Sequence, residues 1–358
     1  MTKNVLVTGC AGFIGFNLSK TLIKENNNVY GIDSLNNAYD KKFKDLRLQN
    51  LESENNFQFI SNDLSDEDSL NDLADIDIVY HMGARAGVRQ SFNDPLSYIK
   101  DNTIATTNVA NFCKNNDISK MILASTSSIY GNSGEKEMVE DIDEKINPPS
   151  IYASTKLSGE TLARTILSSH NTNLIITRFF TVYGPYGRPD MSILRFIHWI
   201  MENKEVKIFG DGEQRRSFTY IDDVVDLLLK VQDCDSNETF NVGNNKTSSL
   251  NEVVKIIEHF SNKKAQVVNE PRAFRDPDVV LPSLSKSKNI LKWEPKTNIE
   301  DGIKATIEWY YLFFLESTIF STINSIFFVG FIPVNSIILS IPGVRLLGSS
   351  NVFPKTSS

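Results

Sequence analysis

The segment Thr8-Gly9-Cys10-Ala11-Gly12-Phe13-Ile14-Gly15 decides the fold of this 358-residue chain. It lies between an apolar run at residues 4–7, which predicts a strand, and an amphipathic stretch at residues 14–24, which predicts a helix. Its glycines permit a tight turn, close approach of the backbone to a pyrophosphate and close packing of the helix. The helix N-terminus offers amide groups and a positive dipole end to that anion. The segment therefore predicts a dinucleotide-binding loop made by Gly9, Gly12, Phe13, Ile14 and Gly15.

Asp33, at the end of the second predicted strand, indicates which dinucleotide is bound. A carboxylate at this place suits the two hydroxyls of the adenosine ribose. It also repels a 2′-phosphate, because the two groups carry like charge. We therefore expect NAD rather than NADP as the cofactor.

The first half of the chain alternates short apolar runs with helical patterns, which predicts right-handed βαβ units and a doubly wound parallel α/β sheet of the Rossmann type. The helical patterns include residues 14–24 and 96–114, and the predicted strands are at residues 4–7, 28–32, 57–60, 76–81, 120–124 and 173–178. We assign residues 1–182 to this domain, together with segments that return from later in the chain.

The regular alternation of strand and helix patterns ends after residue 182. It is interrupted there by Pro185, Pro189, Gly210 and Gly212. Shorter elements follow, with helices predicted at residues 224–231 and 250–260. Residues 183–311 are therefore expected to form a smaller C-terminal α/β lobe that binds the substrate. The remaining residues, 312–358, are an apolar tail.

Composition excludes several classes of protein. A net charge of −7 and a pI near 5.3 argue against a nucleic-acid partner, which would require a basic face. Three widely spaced cysteines indicate neither a disulfide framework nor a metal motif, and the four histidines lack ligand spacing. The strand pattern starts at once, which leaves no room for a signal peptide. We expect a cytoplasmic protein without a metal.

The tail has no charged residue between Glu316 and Arg345. Pro333 and Pro342 interrupt it, so it is a poor candidate for one transmembrane helix. Its polar residues fall on one helical stripe at Ser317, Ser321, Asn324 and Ser325. Residues 312–347 could form an interfacial membrane helix, although that stripe lacks Lys and Arg. A flap on the body and a subunit contact remain open alternatives.

Tyr152 and Lys156, in the run YASTK, form a candidate acid/base pair. The lysine lies one helical turn after the tyrosine, on the same face. Its ammonium charge favours the phenolate, and lowering a phenol pKa from near 10 to working pH takes roughly 3 units, or about 4 kcal/mol. Such pairs arise by chance in many helices, so the pair gains weight only beside a dinucleotide loop.

With these motifs together, the chain resembles the extended short-chain dehydrogenase/reductase family from Lys3 to about Tyr310. More narrowly, it resembles nucleotide-sugar epimerases, especially UDP-glucuronate 4-epimerases. Three long segments carry that likeness: ARAGVRQSFNDP at residues 84–95, FFTVYGPYGRPDMS at residues 179–192 and RSFTYIDD at residues 216–223. The tail has no counterpart in the family.

The resemblance implies roles for particular residues. Tyr152 would be the acid/base, Lys156 would tune it and bond the nicotinamide ribose, and Thr126 would lie between the tyrosine and the sugar 4-hydroxyl. Further cofactor contacts would come from Asn36, Asp63, Leu64 and Asn102. Phe209 would stack on uracil, while Arg216 and Arg275 would hold the diphosphate with their planar forks. Without the resemblance, these arginines read as solvated surface charges.

The same resemblance implies C4 epimerisation of a UDP-sugar through a 4-keto intermediate. The 4,6-dehydratases carry an Asp-Glu pair, and UDP-glucuronate decarboxylases carry a Glu where this chain has Ser128. Residues 126–128 offer only hydroxyls, which favours simple epimerisation. A uronic acid substrate would place its carboxylate near Ser127, Ser128, Thr181 and Arg188, although Arg188 could instead form a salt bridge within its loop.

UDP-glucuronate is thus the expected substrate, with UDP-galacturonate as product. The alternatives are 4-epimerisation of UDP-glucose, UDP-N-acetylglucosamine or its uronic acid, a UDP-glucuronate decarboxylase, and a non-catalytic NAD-binding protein. A homodimer is a further expectation from the resemblance, through a four-helix contact built by residues 96–114 and 152–167.

Overall fold

The structure is a computed structural model, and it describes residues 2–131, 137–141, 148–271 and 277–327, with side chains through Phe313. The chain divides into two units, Met1–Tyr310 and Tyr311–Ser358. The first unit holds every element that forms the predicted site.

Strands and helices alternate along the first unit. The strands are β1 (Asn4–Thr8), β2 (Asn28–Ile32), β3 (Phe57–Ile60), β4 (Ile78–His81), β5 (Lys120–Thr126), β6 (Asn173–Phe179), β7 (Thr181–Tyr183), β8 (Glu205–Phe209), β9 (Arg215–Arg216), β10 (Phe218–Tyr220), β11 (Glu238–Val242), β12 (Ser248–Ser249), β13 (Gln266–Glu270) and β14 (Val279–Val280). The helices are α1 (Phe13–Lys24), α2 (Lys42–Glu52), α3 (Pro95–Tyr98), α4 (Ala105–Asn115), α5 (Ile151–Leu167), α6 (Ser192–Met201), α7 (Ile221–Lys230), α8 (Leu250–Ser261), α9 (Ser285–Leu291) and α10 (Ile299–Phe327). One π-helical stretch (Ile99–Ile104) joins α3 to α4, and 3-10 turns lie at Gln90–Phe92, Ser127–Tyr130 and Val231–Asp233.

Seven strands form one parallel sheet in the order β11-β6-β5-β4-β1-β2-β3. The chain builds outward from β1 to β3, then crosses back and builds in the other direction from β4. Strand order therefore reverses between β1 and β4, and in such sheets ligands bind outside the carboxyl ends of the strands at that point. The predicted doubly wound Rossmann sheet is confirmed.

Burial explains why these runs become central strands. β4 and β5 are buried at every position, as expected for parallel strands covered by helices on both faces. On one face, Val79, Met121 and Ile176 pack with Val109 of α4 and Ala163 of α5 in a single core cluster. This rigid frame holds the loops that follow β1, β4 and β5.

The other seven strands named above form three small sheets of two or three strands, in the orders β10-β7, β12-β9-β14 and β13-β8. The helices predicted at residues 224–231 and 250–260 are present as α7 and α8, and α8 begins with a capping box between Ser249 and Glu252. The division of the first unit at residue 182 stays a prediction.

In the second unit, the described part of the tail continues α10 to Phe327. None of the helices in the described ranges is long and apolar enough to cross a membrane. The polar stripe from Ser317 to Ser325 lies where side chains are not described, and residues 328–347 lie outside the described residues.

Candidate active site

The glycine loop after β1 has the geometry that a dinucleotide requires. Gly9 adopts φ +67°, and a Cβ at this position would meet Gly83 Cα at 2.7 Å. A Cβ on Gly15 would meet the carbonyl oxygen of Gly9 at 2.2 Å, so only glycine allows α1 to start so close to the turn. The loop thus leaves its backbone exposed to a ligand at the N-terminus of α1, which fits a pyrophosphate.

A cleft of about 390 Å³ opens at the carboxyl ends of β1, β2, β4 and β5. Most of the predicted site residues line it, and they come from segments far apart in the sequence. They are Gly9, Gly12, Phe13, Ile14, Gly15, Asp33, Asn36, Asp63, Leu64, Thr126, Ser127, Ser128, Tyr152, Lys156, Thr181 and Arg188. The structure therefore brings the predicted cofactor loop and the predicted acid/base pair into one cleft.

Two carboxylates mark the adenosine end of the cleft. Asp33 is buried beside Lys44, with 3.3 Å between Oδ1 and Nζ. Asp63 pairs with Lys100 at 3.0 Å. Burial acts to raise the pKa of Asp63, but hydrogen bonds from Ser65 and Lys100 hold it below its usual value. Asp63 is thus kept as an acceptor, which suits adenine amino groups.

Asn102 lies behind the cleft rather than on its surface. The predicted helix at residues 96–114 is divided here, and Asn102 sits in the π-helical stretch, fully buried. Its Oδ1 accepts from Arg85 N at 2.7 Å, and its Nδ2 donates to Arg85 O and Thr155 Oγ1, both at 3.0 Å. The side chain clamps the loop after β4 to α5, and its predicted contact with the cofactor stays a prediction.

His81 closes a hydrogen-bond chain beneath the same loop. Thr106 Oγ1 donates to Asn102 O at 2.5 Å, so it accepts from His81 Nε2 at 3.0 Å. His81 Nδ1 then accepts from Thr8 Oγ1 at 2.8 Å, and Thr8 in turn accepts from Gly83 N at 3.0 Å. Burial lowers the pKa of His81 to about 3, so the ring is neutral. The chain holds Gly83 against Gly9.

The hydroxyl segment after β5 faces the cleft in a fixed turn. Thr126 caps the 3-10 turn Ser127–Tyr130, accepting from Ser128 N at 3.2 Å. The preceding Ser125 donates to Glu160 Oε1 at 2.5 Å, and Glu160 is held by a bidentate pair with Arg178 at 2.8 and 3.0 Å. This buried ion pair positions the segment from behind.

Tyr152 stands in the first turn of α5, whose N-terminus is capped by Ser150. Burial raises the pKa of Tyr152, while its hydrogen bond with Thr126 and the charge of Arg188 act in the opposite direction. Burial also lowers the pKa of Lys156 to about 8, against the charge of Glu160. Arg188 is therefore a cation that favours the Tyr152 phenolate in this structure, and the predicted tuning role of Lys156 stays a prediction.

Arg188 forms the salt bridge that the sequence left open. Its fork binds Asp190, with Nε to Oδ1 at 3.1 Å and Nη2 to Oδ2 at 2.6 Å, and both residues line the cleft. A contact from Arg188 to a substrate carboxylate stays a prediction. Thr181, at the start of β7, is half-buried on the cleft wall, as a substrate contact requires.

Phe209 and Arg216, predicted to contact uracil and the diphosphate, are not among the residues that line the cleft. Phe209 ends β8, and the guanidinium of Arg89 lies 4.3 Å from its ring centroid. Arg216 donates to Arg215 O at 2.8 Å and to Asp278 O at 3.5 Å. Arg275 lies outside the described residues. Their roles stay predictions.

Arg47 is a site residue that the sequence did not suggest. It is fully buried in α2, and its guanidinium donates to Ala11 O at 3.0 Å, Gly187 O at 2.9 Å and Tyr39 Oη at 2.7 Å. Tyr186 O accepts two more bonds. Arg47 therefore ties the glycine loop to the loop that carries Arg188. Its partners are mainly backbone carbonyls, which leave no signal in a sequence.

Comparison with known proteins agrees with this geometry. The family model described as GDP-mannose 4,6 dehydratase matches residues 6–306. A UDP-glucuronate 4-epimerase from Thermodesulfobacterium geofontis is 42% identical over 311 residues, covering 85% of this chain and 95% of that protein.

Two solved structures extend the comparison. UDP-glucuronic acid 4-epimerase from Bacillus cereus, in complex with UDP-glucuronic acid and NAD, is 34% identical with a TM-score of 0.81, covering 87% of this chain and 99% of that one. UDP-glucose 4-epimerase from Thermotoga maritima, with UDP-glucose, is 28% identical with a TM-score of 0.80, at the same coverages. The resemblance found in the sequence is confirmed: the chain belongs to the GDP-mannose 4,6 dehydratase family of extended short-chain dehydrogenase/reductases.

Proposed function

We propose that this protein is an NAD-dependent UDP-sugar 4-epimerase that converts UDP-glucuronate to UDP-galacturonate. The observation that carries the proposal is the meeting of Tyr152, Lys156 and the hydroxyl segment Thr126-Ser127-Ser128 in the cleft that also contains the glycine loop. The similar proteins support the proposal. They include UDP-glucuronate 4-epimerases, one of which has a solved structure with NAD and UDP-glucuronic acid.

Tyr152 and Thr126 move the proton of the sugar 4-hydroxyl. The neutral phenol donates to Thr126, and the phenolate accepts from it, so the hydrogen bond between them can pass a proton in either direction. The chemistry that NAD supplies when bound is reversible acceptance of a hydride from C4. Tyr152 takes the proton from the 4-hydroxyl as the 4-keto sugar forms. After the sugar has turned, it returns the proton to O4 as C4 regains a hydride on its opposite face, which inverts C4.

The surroundings of Tyr152 bias its protonation. Because burial raises its pKa, the phenolate needs nearby donors and positive charge. Thr126 supplies the donor and Arg188 the charge. Lys156 is buried on the same helix face, one turn farther on, where it suits a hydrogen bond to the nicotinamide ribose.

A uronic acid substrate imposes a further requirement, since its 4-keto intermediate is a β-keto acid that can lose CO₂. Retention of the carboxylate requires holding it away from the geometry of cleavage. Ser127, Ser128 and Thr181 line the cleft and can donate to a carboxylate. Arg188 could join them through Nη1, which takes no part in its pair with Asp190.

Incubation of the purified protein with UDP-glucuronate and chromatographic separation of the products test the proposal. UDP-galacturonate is the expected product. If only UDP-xylose or a 4-keto pentose forms, the protein is a decarboxylase and the proposed epimerisation is wrong. Turnover of UDP-glucose or UDP-N-acetylglucosamine without turnover of the acid would retain the reaction and reject the substrate.

A pair of tyrosine variants tests the mechanism. Tyr152→Phe should abolish turnover while NAD remains bound, and unchanged turnover would remove Tyr152 from the mechanism. Tyr98→Phe is the matched control, because Tyr98 packs edge-on against Tyr152 at 6.2 Å and its hydroxyl donates to Ala86 O at 3.1 Å. This control should retain most activity.

Exposed apolar side chains support the expected homodimer. Leu96, Ile99, Ile104 and Leu162 are each exposed by a third or more, and they lie on the helical segments predicted to form the subunit contact. A second copy of the chain would cover them. Light scattering after size-exclusion chromatography should give a molar mass twice that of the chain. The Leu96→Glu variant should give the mass of a single chain. A cytoplasmic location and a membrane contact of the tail stay predictions.

A further inference from the structure

Lys44 is a buried cation at the adenosine end of the cleft. It lies in α2 with 5% of its surface exposed, and it lines the cleft together with Asp33 and Asn36. Its Nζ is 3.3 Å from Asp33 Oδ1 and donates to Asn36 Oδ1 at 2.9 Å. A lysine is seldom buried without a paired anion, since removal of its charge from water is costly. Asp33 is that anion.

Among the described residues, only one carboxylate oxygen of Asp33 accepts hydrogen bonds from the protein. Oδ1 accepts from Lys44 and also from Leu35 N at 2.8 Å. Oδ2 has no protein donor among the described residues, which leaves it for the two hydroxyls of a ribose. The carboxylate therefore stands between Lys44 and the place where a ribose 2′-oxygen would lie.

Other charged groups near this pair have partners of their own. Asp101 pairs with Arg85 at 2.8 Å and also accepts from Asn36 Nδ2 at 3.4 Å. The guanidinium of Arg47 is directed to carbonyl oxygens and to Tyr39. Lys44 is therefore the cation in direct contact with Asp33, and its hydrogen bond to Asn36 Oδ1 does not depend on the carboxylate.

We propose that Lys44 and Asp33 together form the selector between NAD and NADP, in which Asp33 occupies a cation site that would otherwise accept a 2′-phosphate. The inference rests on the proposed function, because it deepens the same cofactor site. With Asp33 present, the carboxylate repels a phosphate dianion and binds the diol. Without it, the buried Lys44 lacks an anion, and a 2′-phosphate would replace the lost charge.

The test measures which nucleotide the protein retains. Wild-type protein and the variants Asp33→Asn, Lys44→Met and Asp33→Asn/Lys44→Met are each incubated with equal excesses of NAD⁺ and NADP⁺. Unbound nucleotide is removed by gel filtration, the protein is denatured, and the released NADP⁺:NAD⁺ ratio is measured by mass spectrometry. Lys42→Met is the matched control, since Lys42 is an exposed lysine on the same helix that does not line the cleft.

The ratio should rise in Asp33→Asn by on the order of 10- to 100-fold, the range for one hydrogen bond to a charged group. The double variant Asp33→Asn/Lys44→Met should not show that rise, because it lacks the cation that would bind the 2′-phosphate. Lys42→Met should have the same ratio as the wild-type protein. Asp33→Ser makes the same test if Asp33→Asn does not fold. An unchanged ratio, or an equal rise with and without Lys44, would overturn the selector. Wild-type protein that retains neither nucleotide would contradict the proposed function itself.

Discussion

The main-chain carbonyl of Tyr186 accepts two hydrogen bonds from Arg47, at 3.0 Å from Nε and 2.7 Å from Nη2. Tyr186 adopts φ +60°, an uncommon conformation for a residue with a side chain. Its ring is held between Phe16 at 4.7 Å and Trp309 at 5.1 Å, measured between ring centroids. The strained residue thus turns its carbonyl inward, where Arg47 joins it to the glycine loop.

Arg47→Met should lower the free energy of unfolding by at least about 3 kcal/mol, because three buried backbone carbonyls lose their donors. Urea unfolding measures this loss. Lys42→Met removes a positive charge from the exposed face of the same helix and should change stability by less than about 0.5 kcal/mol. Equal stability of the two variants would show that water or other donors replace the arginine.

Local signals in the sequence predict the frame of the site. The strands at residues 28–32 and 57–60 have the predicted bounds, and the glycine loop lies between β1 and α1 as expected. These features depend on apolar runs and glycine spacing within a short window. The seventh strand, β11, pairs with β6 across a large separation in sequence, so its place in the sheet depends on long-range packing.

Arg47 and Lys44 could not be found from the sequence for a physical reason. Both lie in α2, whose sequence KFKDLRLQNLE is rich in charged and polar residues that are usually exposed. Their burial arises because the loop at Tyr186 and the end of β2 close over the helix. The roles of Arg188 and Asn102 likewise depend on distant partners, since each side chain is engaged by contacts that only the folded chain creates.

His81 should make the fold sensitive to acid. Its pKa is about 3 in the folded chain and near 6.5 in an unfolded one, so the unfolded state binds an extra proton as the pH falls below about 6.5. The resulting loss of stability between pH 7 and pH 4.5 is about 2 to 3 kcal/mol. His81→Gln cannot take up this proton. Urea unfolding at both pH values should show a smaller loss for the variant, and equal losses would place the acid sensitivity elsewhere.

Lys156 should produce a pH dependence of the same sign as His81, but at alkaline pH. Burial lowers its pKa from 10.5 to about 8, so between these values the unfolded state binds more protons and stability rises with pH. Between pH 7 and pH 10, the free energy of unfolding of the wild-type protein should rise by about 2 to 3 kcal/mol more than that of Lys156→Met. Comparison of the two proteins cancels the titration of other groups. A constant difference would mean that Lys156 keeps its ordinary pKa.

Arg188 should set the pH at which Tyr152 acts as a base. Its positive charge favours the phenolate, so Arg188→Met should raise the pKa of Tyr152 and move the acidic limb of the kcat/KM profile to higher pH. On that limb, the variant should have a lower kcat/KM than the wild-type protein at the same pH. Asp190→Asn should shift the limb downward, because it removes the carboxylate that offsets the arginine.

The control for this pair is Arg164→Met, which removes a positive charge from the same helix as Tyr152. Arg164 lies twelve residues farther along α5, about 18 Å away, and donates to Thr239. It should leave the pH midpoint unchanged. A higher KM at every pH without a shifted midpoint would instead show that Arg188 binds the substrate carboxylate, because loss of ground-state binding does not move the titration of the base.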